Sequence, residues 1–111
     1  MSTEIRYGLD ALRAALDAGK TVEEDTVPIG AVQPVLRADG AMDHVRVRLP
    51  YPVYLADLAR SFGVWQLERT PAGPKRAVFP QTSRRTTVSA ELDSGGRAAT
   101  VLLRPAGRRG Q

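Results

Sequence analysis

The spacing of apolar positions changes along this chain, and each change marks an element. Ile5, Leu9, Leu12 and Leu16 recur at intervals of four, three and four, with Arg6, Asp10, Arg13 and Asp17 on the remaining faces. This spacing predicts an amphipathic helix, capped by Ser2 or Thr3 and stopped at Gly19-Lys20. Gly8 costs about 1 kcal/mol against alanine inside a helix, so a start nearer Leu9 is the competing reading. From Val45 to Leu49 the period falls to two, which sets Val45, Val47 and Leu49 on one face of a strand and Arg46 and Arg48 on the other. Pro50 and Pro52 are expected to end that strand. Leu55, Leu58, Ala59 and Phe62 then return to helical spacing, and Gly63 stands where a left-handed cap belongs.

Two hairpins come next. Val64 to Arg69 and Lys75 to Phe79 flank the loop Thr70-Pro71-Ala72-Gly73-Pro74, and Arg84 to Leu92 and Arg97 to Arg104 flank Asp93-Ser94-Gly95-Gly96, where glycine supplies the positive φ of a tight turn. Ahead of Val45, a loop over residues 21–30 leads into a weak strand from Ala31 to Arg37, and Pro34 places that strand at an edge or a bulge. The expected fold is α+β: a mainly antiparallel sheet of about five or six strands, covered by an N-terminal helix and one short helix. Residues 1–104 form one domain, and 105–111 form a short basic tail expected to be mobile.

Composition narrows the chemistry. At 111 residues one modest core is available, and folding buries roughly two thirds of the unfolded chain's surface. No apolar run approaches the roughly 20 residues needed to span a bilayer, and the first residues lack a secretory pattern, so the expected location is the cytoplasm. Cysteine is absent and histidine occurs once. That inventory excludes disulfides, thiolate metal sites and, unless a second chain or a carboxylate cluster supplies the missing ligands, histidine-rich metal sites, and no cofactor is implied. Arginine outnumbers lysine fourteen to two, a ratio suited to bidentate phosphate or carboxylate contacts and equally natural to a GC-rich coding sequence.

Charge is distributed unevenly. Residues 1–57 hold six basic and nine acidic side chains, a balance of −3, whereas residues 58–111 hold ten and three, a balance of +7. This asymmetry points to an anionic partner, nucleic acid or an acidic protein surface, or to a complementary patch on another copy of the chain. The residues expected to meet an anion are Arg46, Arg48, Arg84, Arg85, Arg97, Arg104, Arg108 and Arg109, with Tyr51, Tyr54 and Trp65 as stacking platforms. The competing reading is a solvated basic face with Trp65 in the core.

Other constellations are weaker. Asp43-His44 has the composition of an acid-base pair, but adjacent strand residues ordinarily point to opposite faces. The stretch from Leu55 to Val64 has the look of the first helix and glycine of a helix-turn-helix unit, yet the residues after Val64 alternate like a strand where a recognition helix is required. Glu23-Glu24-Asp25 lacks the spacing of a calcium loop. The leading expectation is therefore a small non-enzymatic binding or regulatory module. A homodimerising or adaptor protein and a metal-independent nuclease or small isomerase are the alternatives.

Overall fold

The computed structural model describes residues 3–19, 31–69, 71, 75–80 and 86–105. They form α1 (Thr3–Asp17), β1 (Ala31–Leu36), β2 (Met42–Val53), α2 (Leu55–Phe62), β3 (Gln66–Arg69), β4 (Lys75–Phe79), β5 (Thr86–Leu92) and β6 (Ala98–Pro105). The six strands make one antiparallel sheet in the order β1-β2-β6-β5-β4-β3. The fold is thus α+β, with both helices on one side. The last strand lies beside β2, joining the N-terminal hairpin to the C-terminal meander. The passage from β2 to β3 must cross four strand spacings, roughly 19 Å, and α2 makes that crossing over the sheet.

The strand period of two sorts side chains onto the two faces with little exception. One row runs across the whole covered face, Val32-Val47-Val101-Ala90-Ala77-Leu67, by successive register partners. All of these are buried except Leu67, at the end of the row, which is 56% exposed. Ile5, Leu9, Leu12 and Leu16 of α1 and Leu58 and Phe62 of α2 close over this face. The Phe62 and Phe79 rings meet edge to face with centroids 5.8 Å apart. Helix α1 starts at Thr3 and accepts Gly8 at a buried position.

Helix α1 is fastened by polar contacts from Asp10, which accepts from Ser61 Oγ at 3.4 Å, from Arg13 and from Asp17. Arg13 donates from Nη1 to the Ser61 carbonyl at 3.2 Å and lies over the Phe62 ring at 5.3 Å. Thr86, itself buried, donates to Asp17 Oδ1 at 2.6 Å. That bond matters because Asp17 ends the helix, where the macrodipole disfavours a carboxylate.

Two local expectations are revised. Strand β2 runs through Pro50 and Pro52 to Val53: its pairing with β6 lapses after Arg48 and resumes at Val53 opposite Ala98, while β1 reaches only as far as Arg48. The rings therefore sit where no ladder donor is required. Gly63 has positive φ but an extended ψ (86°, −158°), outside the left-handed helical region, and its N–H bonds to the Ala59 carbonyl at 2.8 Å. After Gly63 the chain enters β3, the strand expected there in place of a recognition helix. By contrast, Pro34 does mark an edge strand, and Gly96 has the positive φ (79°) of the β5–β6 turn. Asp93 Oδ1 holds that turn by accepting from the Gly95 and Arg97 amides. Strand β6 extends through Pro105. The loops 21–30 and 72–74, the acidic run 23–25 and the tail beyond 105 lie outside the described residues.

Candidate functional site

The two helices cover one face of the sheet, and the opposite face carries most of the described chemistry. Its composition comes from the alternation: once Val45, Val47, Val101 and Leu103 point to the core, Arg46, Arg48, Leu102 and Arg104 must point away. The register partners then set a row of charged and polar side chains across five strands, Arg48-Thr100-Glu91-Arg76-Glu68. A neighbouring row spans all six, Gln33-Arg46-Leu102-Ser89-Val78-Gln66.

Three of the arginines named from sequence, Arg46, Arg48 and Arg104, are thereby gathered on one face, and Arg76 joins them. Arg76 was not among the residues singled out from sequence, although the alternation Arg76-Ala77-Val78-Phe79 carries the signal. Its Nε is buried and has no hydrogen-bond partner among the described residues. A shallow depression of about 290 Å³ lies over this part of the face, walled by Glu68, Arg76, Thr87 and Arg104 and floored by Val78, Ser89 and Leu102.

Carboxylates are interleaved with these cations. Arg46 donates to Glu91 at 2.9 Å, and Arg104 stands 3.6 Å from Asp43. Arg48 is exposed and has no ion-pair partner among the described residues. Such exposed pairs are individually weak, about 0–1 kcal/mol, so a partner can exchange them at small cost. Arg97 does not join the group. It lies in the β5–β6 turn just before β6, its guanidinium 5.0 Å above the Tyr54 ring. Arg84, Arg85, Arg108 and Arg109 fall outside the described residues. Among the aromatic side chains predicted as platforms, Trp65 packs against the core, Tyr54 is exposed with Arg97 over one face of its ring, and Tyr51 is exposed in the segment of β2 that leaves β6.

Asp43 and His44 form a closer pair than strand geometry ordinarily gives. Register partners run Val35 to His44 and then Leu36 to Met42, so Asp43 is the extra residue of a β-bulge. The bulge allows His44 Nδ1 to donate to Asp43 Oδ2 at 2.7 Å. This hydrogen bond, helped by the charges of Arg104, His44 and Arg37 and opposed by desolvation, holds the Asp43 carboxyl below its ordinary range. The pair thus has the orientation of a carboxylate steadying an imidazole. Among the described residues, no group of three or more histidine, aspartate or glutamate side chains is arranged to hold a metal ion.

Comparison with protein-family models, with curated proteins and with solved structures gives no match. Likewise, no helix among the described residues is long and apolar enough to cross a membrane. The functional reading therefore rests on the residues themselves: an α+β domain with one sheet face covered and the other charged.

Proposed function

We propose that this domain is a non-enzymatic binding module that holds an anionic partner on its uncovered sheet face, with nucleic acid the favoured partner in a cytoplasmic setting. The observation that carries the reading is the placement of Arg46, Arg48, Arg76 and Arg104 on one face of adjoining strands. Sheet faces suit this task because every second residue of each strand is delivered to the same surface. With Trp65 packed against the core, the exposed rings of Tyr51 and Tyr54 are the remaining stacking platforms, and contact is chiefly through phosphates with slight sequence preference. The interleaved carboxylates favour modest affinity and easy exchange.

The test is binding of a generic duplex and a generic single strand at rising salt, by anisotropy, for the native chain and for Arg46→Gln/Arg48→Gln. Affinity is expected to fall steeply between low and physiological salt, with a shallower slope and at least a tenfold weaker complex in the double variant. No binding at low salt, or binding indifferent to both substitutions, overturns the proposal.

A second reading, self-association of the chain, is favoured by one specific observation: strand β3 closes the sheet with all four of its residues exposed. Sedimentation over a range of concentrations tests it, and a constant mass of one chain removes it.

A further inference from the structure

We infer that β3 is the self-association surface, pairing antiparallel with β3 of a second copy about a two-fold axis at Leu67. The inference rests on the self-association reading and assigns it a strand, a register and a symmetry.

The two edges of the sheet differ. At one, β1 carries Pro34, whose ring removes a donor, and lies against the bulge beside Val35 and Leu36, both features that discourage strand addition. At the other, β3 has neither proline nor bulge, and among the described residues nothing pairs with its outer side. Along that edge the apolar row of the covered face stops short. It runs from Val32 through Ala77 and ends on Leu67, which is 56% exposed, with Val64 just before the strand 67% exposed. Helix α2 packs over β4, one strand in from the edge.

An isologous antiparallel pair that keeps the helices of both copies on the same side must bring residues of like facing together. Centred on Leu67, it sets Leu67 opposite the partner's Leu67, which continues the apolar row through the interface. Gln66 then falls opposite the partner's Glu68, and Trp65 opposite the partner's Arg69, an aromatic ring facing a guanidinium. Each off-axis pair occurs twice, and no two like charges are opposed. Centring on Glu68 instead sets two carboxylates face to face. The strand is short and carries Glu68 and Arg69, so the buried area falls well below the roughly 1,600 Å² of a standard interface. Association is accordingly weak and reversible, in the micromolar to millimolar range.

The experiment is sedimentation equilibrium of the full chain from micromolar to millimolar concentration at low and high salt. It compares the native protein with Leu67→Lys, Gln66→Lys and Gln66→Glu. The native chain is expected to reach a dimer at the upper end with little dependence on salt, because the central contact is apolar. Leu67→Lys opposes two ammonium groups and abolishes the dimer. Gln66→Lys, facing the partner's Glu68, strengthens it several-fold, whereas Gln66→Glu weakens it several-fold. Should Leu67→Lys fail to fold, the opposed signs at Gln66 decide alone. A dimer that Leu67→Lys leaves intact, or equal responses to both charges at Gln66, overturns the β3 assignment and leaves self-association standing. A mass of one chain throughout, with the edge left for some other protein's strand, overturns both.

Discussion

His44 and Asp43 show how one inserted residue changes what neighbours can do. In a regular strand the two side chains face opposite ways, yet the bulge in β2 brings Nδ1 and Oδ2 to 2.7 Å. Because the bond depresses the Asp43 carboxyl in the folded chain, that group contributes stability above its ordinary pKa near 3.8, and the contribution is lost as pH falls through the lower folded value. Carbon-detected NMR titration is expected to place the Asp43 midpoint below the ordinary value and to return it upward in His44→Ala. A midpoint unmoved by that substitution would refute the proposed cause. The shared facing of Arg46 and Arg48 was legible in the sequence through simple alternation, whereas the arrival of Arg104 beside them needed the β2–β6 pairing. Bulges were not legible, since they depend on how two strands run out of step, and so the pair Asp43-His44, suggested by composition, was set against ordinary strand geometry.

At the scale of elements, α1 was written plainly in Ile5, Leu9, Leu12 and Leu16, all four of which are buried. Strand β2 was less plain: two prolines suggest an end, but a proline ring matters to a strand only where a ladder bond is due, and which bonds are due depends on the neighbours. Helix α2, only eight residues long, is too short to be stable alone in water, so its place depends on Leu58 and Phe62. Phe62 touches the Phe79 ring and supports Arg13 of α1. Phe62→Ala should therefore cost about 3–5 kcal/mol, read as a lowered denaturant midpoint, and should loosen α1 as well. A loss under about 1 kcal/mol would mean the site collapses to fill the space. Thr86→Val, which keeps shape but removes the donor to Asp17, should cost about 1 kcal/mol.

For the molecule as a whole, strand order was the least legible feature. Hairpins can be read from turns, but the choice of β6 as the neighbour of β2 is made by faces and rows that exist only once the sheet is assembled. That choice has a kinetic meaning. The N-terminal hairpin borders β6, some fifty residues later in the chain, so a central strand of the sheet is the last of the six described strands to be translated. A nascent polypeptide halted before residue 98 would hold two apolar half-sheets with no seam between them, at risk of sticking to whatever else is on the ribosome. Closure thus waits on residues 98–105, and its rate is governed by long-range loop closure.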